Sequence, residues 1–422
     1  MKYLLTIIGI ITILTVKAQG INFEQNLAWK QIQAKAKLEN KYIFMDVFAT
    51  WCGPCEEMSV KVFPKQETGY FINSNFIALK VQMDQTNEDN DQIKSWYADA
   101  KAIGAEYQVN AYPTILFFAP SGELAGRAVG YKEAHELIAD AKQAMANSEE
   151  FGKLYMQYSK GNRDSALVKG VARLSLKMGQ TENAQKIAQQ YINSLDEQEL
   201  FKSGNLLFVS QFTTSSKDKG FSLFRKYNNK VNAVLGNNVA ETKVTGIIVK
   251  EEIETFTKNK TSTPDWKVME TNIKNKYGAL GLEAYYGERM SYALNRMDWS
   301  NFGKYYALYY STACSRSRFH INNISWLVVE HVSDPAVLET AVKTMKYDIE
   351  HFDQHNLQAY DTYANLLYKT GKKDEAIEWE SKAARIEEEN ASKNNGKPDP
   401  VFAETLEKMK NGRDEPCPSS RR

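Results

Sequence analysis

A chain of 422 residues is too long for one ordinary core and divides into two or three domains. Its 43% hydrophobic and 25% charged residues are those of a folded globular protein, which excludes wholesale disorder. The 53 basic and 52 acidic side chains nearly cancel to +1, so nothing in the charge balance recruits nucleic acid or an anionic membrane surface.

In chain order, Lys2 precedes an uncharged apolar run over residues 3–16, and Val16-Lys17-Ala18 places small residues at the −3 and −1 positions. This predicts a signal peptide over residues 1–18, cut after Ala18, and places the mature protein in the periplasm or cell envelope. Residues 19–147 then read as one α/β domain. Helical spacing over residues 22–38 leads into a nearly continuous apolar run over 42–48, broken by Asp46, as expected of a central buried strand. A helix is predicted over 53–70, with Pro54 in its first turn, and a second buried strand over 76–81. The polar stretch 85–91 reads as an insertion before a helix over 90–107. Strands over 114–118 and 123–129 are joined at Pro120-Ser121-Gly122 as a hairpin, and an amphipathic helix over 133–146 closes the domain.

From residue 148 the texture becomes helical. Gly179 with Ala184, and Gly371 with Ala376, mark two helix–turn–helix segments of the same spacing. The second, from Tyr363 through Ala383, resembles a tetratricopeptide hairpin, in which small residues let two helices approach closely. Residues 148–390 are therefore expected to form an all-α, solenoid-like domain, and residues 391–422 a polar C-terminal tail.

The chemistry concentrates in Cys52-Gly53-Pro54-Cys55. A thiol at a helix start feels the partial positive charge of unpaired N–H groups, which favours thiolate. Two intervening residues put the second sulfur one turn along, so Cys52 is the attacking thiol and Cys55 the resolving one. Gly53 and Pro54 make a compact turn between them. A lone C-x-x-C lacks the second pair of a zinc site, so no metal is expected there. His351 and His355, four apart, have no third ligand and are assigned to a solvated helix face. Cys314 and Cys417 are far apart, and a bridge between them is left open.

Phe44-Met45-Asp46-Val47-Phe48-Ala49-Thr50-Trp51-Cys52-Gly53-Pro54-Cys55 resembles the active-site strand and turn of the thioredoxin family. Ala78-Leu79-Lys80-Val81-Gln82-Met83-Asp84 resembles the family's next central strand, and Gln108-Val109-Asn110-Ala111-Tyr112-Pro113 its cis-proline loop. The resemblance covers residues 22–147 and implies a thioredoxin fold and a thiol–disulfide oxidoreductase. It makes Asp46 the buried carboxylate that takes the proton of Cys55. Burial disfavours the charged form and raises such a carboxyl toward general-base values, while pairing with Lys80 gives it a structural role as well. It further implies a cis Pro113 facing Cys52, with Trp51, Tyr112 and Pro113 contacting an extended substrate chain.

Gly53-Pro54 favours a reductase of protein disulfides, whereas Tyr112 before the proline resembles disulfide isomerase domains. Isomerase or oxidase chemistry with the same pair therefore stays open, as does an adaptor whose helical part binds partners. No cofactor beyond the redox-active Cys52–Cys55 pair is expected, since no flavin or nicotinamide fingerprint is present. The pair then requires an outside thiol electron donor, such as a membrane thiol transporter.

Overall fold

The computed structural model describes residues 20–257 and 264–412. The signal-peptide assignment and Cys417 lie outside the described residues. The described residues fall into two compact units, divided between Leu195 and Asp196.

The first unit is built on a four-stranded sheet in the order β2-β1-β3-β4. Its strands are β1 (Tyr42–Phe48), β2 (Phe76–Gln82), β3 (Thr114–Phe118) and β4 (Leu124–Val129). β1 runs parallel to β2 and antiparallel to β3, and β3–β4 is a hairpin. The parallel pair needs a crossover, supplied by α2 (Gly53–Lys61) and α3 (Gln66–Asn75). The sequence predicts one helix here. Two form, because Pro64 cannot continue the ladder and disfavours a helical conformation at Phe63.

Successive side chains of a strand alternate between faces. Ile43, Met45 and Val47 pack against Ile32 and Ala36 of α1 (Trp29–Glu39). Ala100 and Ile103 of α5 (Tyr97–Glu106), which follows the short α4 (Asp91–Ser95), join the same cluster. Phe44 faces the other way, into a cluster with Met58 of α2, Ile72 of α3 and Leu137 of α6 (Ala134–Ser159). With both faces covered, β1 has no polar side to show water, and its one carboxylate, Asp46, lies on the face of Phe44. The predicted helix over 90–107 is divided at Trp96 into α4 and α5.

α6 runs through the expected boundary after residue 147. It is followed by α7 (Ser165–Lys177) and α8 (Thr181–Ser194), which belong to the same compact unit. α7 packs on α6, and the turn between α7 and α8 touches the sheet edge. Gln180 donates a 3.1 Å hydrogen bond to the Leu124 carbonyl of β4, and Gly179 lies against the Leu124 side chain.

The second unit is helical throughout its described residues, with a π-helical turn at Val249–Ile253. Its hairpin Leu357–Lys369 and Lys373–Lys393 turns at Gly371 as α7–α8 turns at Gly179, both glycines having positive φ. Residues 391–412 are not a loose tail. Helix Pro400–Lys410 is capped by Asp399, buries Val401, Phe402 and Met409, and accepts a 3.2 Å hydrogen bond from Tyr368 Oη at the Met409 carbonyl. No described helix is long and apolar enough to cross a membrane.

Candidate active site

β1 ends at Phe48 and α2 begins at Gly53, so residues 49–52 form a sharp strand-to-helix turn. Cys52 is the N-cap of α2, and its Sγ accepts a 3.2 Å hydrogen bond from the Cys55 N–H. The two sulfurs are bonded to each other, with Cα atoms 5.3 Å apart. A sulfur at a helix cap receives both a backbone donor and the positive end of the helix dipole, so a thiolate formed there is stabilised. Pro54 lies in the first turn, where its missing N–H costs no helical bond.

In the disulfide form Cys52 is 5% and Cys55 4% exposed, whereas the neighbouring Trp51 is 73% exposed. Phe48 and Tyr112 pack against the cluster of Ala49, Cys52 and Cys55. The Trp51 and Tyr112 rings meet edge to face at 5.8 Å, and the Tyr112–Pro113 peptide bond is cis. The fold thus brings Trp51, Cys52, Cys55 and Tyr112 together, with Trp51 exposed and Pro113 buried.

Asp46 is 1% exposed and sits on the sheet face covered by α2. Lys80, its register partner on β2, places Nζ 3.3 Å from Asp46 Oδ2, off the line of a hydrogen bond, and no other described group donates to the carboxylate. Burial pushes the Asp46 carboxyl up to about 6, with the nearby Lys80 charge opposing it. Lys80 has other partners. It donates 2.7 Å to Ser59 Oγ of α2, and the Phe48, Phe63 and Phe23 rings lie 5.1, 5.2 and 5.4 Å from its Nζ.

Asp84, given no role from the sequence, holds the active-site turn. One of its oxygens accepts 2.9 Å from the Thr50 N–H and the other accepts from the Thr50 hydroxyl. The signal was present in the register. Phe48 pairs with Gln82, and two residues further along each parallel strand Thr50 meets Asp84.

The polar insertion is a folded knot around Asp89. Its carboxylate accepts from the Thr86 N–H and hydroxyl, the Gln82 amide and the Tyr97 hydroxyl, at 2.5–3.0 Å. These donors hold Asp89 well below the usual carboxylate range. No group of three or more metal-ligating side chains gathers among the described residues. His351 ends its helix and His355 lies beyond it, so the two do not share a helix face.

A thioredoxin-like domain family matches residues 29–144. The thioredoxin of Mycoplasmoides gallisepticum is 30% identical over 113 residues, which are 26% of this chain and 94% of that protein. The chain belongs to the thioredoxin family. A thiol:disulfide interchange protein, DsbD, of Actinobacillus pleuropneumoniae is 26% identical over 122 residues, covering 27% of this chain and 19% of that protein's length. A solved DsbH oxidoreductase is 16% identical, covers 33% of this chain and 95% of its own, and superposes with a TM-score of 0.27. The thioredoxin-family domain marks the chain as a thiol–disulfide oxidoreductase, and the bonded Cys52–Cys55 pair lies within that domain.

Proposed function

We propose that the protein is an exported reductase of protein disulfides. The Cys52 thiolate attacks a substrate disulfide, forming a mixed disulfide and expelling one substrate thiolate. Cys55 then gives its proton to Asp46 and attacks Cys52 Sγ. The second substrate thiolate leaves, and the pair closes as the Cys52–Cys55 bond. Two electrons pass to the substrate, and an outside thiol donor returns them, for which the similarity to part of a thiol:disulfide interchange protein is support. Trp51, Tyr112 and the cis Pro113 form the surface for the substrate chain. The helical unit, with its tetratricopeptide-like hairpin, binds the substrate or donor protein.

The observation that carries this reading is Cys52 as the N-cap of α2, its sulfur receiving the Cys55 N–H. The reduction potential tests direction. We expect a value nearer the about −270 mV of a reducing thioredoxin than the about −120 mV of a strong periplasmic oxidant, and a value above about −180 mV moves the protein to the isomerase or oxidant class. Cys55→Ser should accumulate mixed disulfides on Cys52, and Cys52→Ser almost none; equal trapping by both rejects the assigned roles. The first residue of the protein recovered from the cell envelope should be Gln19.

A further inference from the structure

The second unit carries a groove of about 490 Å³ with a chemistry unrelated to the cysteines. One wall is a single helical face. Val239, Thr242, Lys243, Gly246, Ile247 and Lys250 recur at the three- and four-residue steps that bring side chains onto one side of a helix. The opposite wall is Ser210, Thr213 and Thr214, at the end of helix Ser203–Phe212.

Two observations say what the groove accepts. Lys243 and the exposed Lys250 both line it, and among the described residues neither ammonium has an ion-pair or hydrogen-bond partner. Lys243 is half-buried, so its ammonium has given up water with no anion in return, and this desolvation lowers its proton affinity. The second observation is Gly246. A glycine inside a helix costs about 1 kcal/mol relative to alanine. A Cβ at Gly246 would meet no atom within 4 Å, so close packing does not require it. Gly246 is exposed on the groove wall between the two lysines, and the space above it is open. Ser210 and Thr242 add hydroxyl-bearing residues to a lining that Val239 and Ile247 make partly apolar.

We infer that this groove is a binding site for a small ligand bearing a carboxylate or phosphate group, held between Lys243 and Lys250 over Gly246. An oxyanion there restores to Lys243 the solvation that burial removed.

The test follows acylation of Lys243 in the full chain by mass spectrometry, with inorganic phosphate and citrate as probes. Lys304, an exposed lysine of another helix, serves as the internal control. With a dissociation constant of about 2 mM, about 10 mM probe slows Lys243 acylation about six-fold and leaves Lys304 unchanged. Protection by phosphate alone assigns a phosphoryl ligand, and protection by citrate alone a carboxylate. Gly246→Leu, which fills open space with a better helix former, should abolish the protection, and Lys250→Gln should weaken it. Equal protection by sodium chloride at matched ionic strength overturns the proposal, as does no protection by either probe or full protection in Gly246→Leu.

Discussion

At the scale of single residues, Asp46 sets a conflict between stability and chemistry. Its folded-state value of about 6 lies above the ordinary 3.8, so folding takes up a proton between about pH 4 and 6. Below that window the carboxyl is neutral in both states and its charge costs nothing. Above it, the folded chain carries a buried carboxylate, at a cost of about 3 kcal/mol. Asp46→Asn should therefore stabilise the protein by up to about 3 kcal/mol at pH 8 and leave it unchanged near pH 3.5, as read by urea unfolding at the two pH values. The same variant should slow resolution of the mixed disulfide while sparing the first attack. Asp46 was legible in the sequence because it interrupts an apolar strand. Ser59 and the Phe23, Phe48 and Phe63 rings around Lys80 were not, since they come from three separate segments that only the fold brings together.

At the scale of elements, two turns and one loop give separable outcomes. Gly179 and Gly371 both have positive φ, near +80°, where an added Cβ costs about 1–2 kcal/mol. At Gly371 the Cβ would meet nothing, whereas at Gly179 it would lie 2.8 Å from Leu124 Cδ2. Gly371→Ala should cost that backbone term alone, and Gly179→Ala about 1 kcal/mol more from overpacking, measured in parallel thermal melts. In the insertion, Asp89 is held below the usual carboxylate range, so the order it confers is present at neutral pH and is lost only in strong acid, as pH falls through its lowered value. Asp89→Ala should expose residues 85–96 to hydrogen exchange at pH 7, while the wild-type loop stays protected at pH 4. The strands were readable from apolar runs alone. The insertion read only as polar, because its order comes from one buried carboxylate that gathers donors from Gln82, Thr86 and Tyr97. Helix Pro400–Lys410 was masked by the Asn-, Lys- and Pro-rich stretch before it, although Asp399-Pro400 is a helix-start pattern.

At the scale of the whole molecule, the domain boundary was the least legible feature. The change to helical texture at residue 148 is real, but texture does not say which core a helix joins. α6 continues to Ser159, α7 packs against it, and the α7–α8 turn touches β4 at Leu124. A fragment of residues 20–195 should melt in one cooperative transition. One ending at 147 cuts α6 in its middle and should melt at least about 4 °C lower, a loss of about 1 kcal/mol, by circular dichroism. The docked hairpin also governs what the sheet offers to other chains. β4 is an edge strand, and an uncovered edge is a template on which a second polypeptide can add itself by backbone pairing. Gln180 occupies the Leu124 carbonyl, at the first residue of that edge, and Gly179 closes over its side chain. The α7–α8 turn thus covers the first residue of that edge, so a strand adding to β4 must displace Gln180 or begin beyond Leu124.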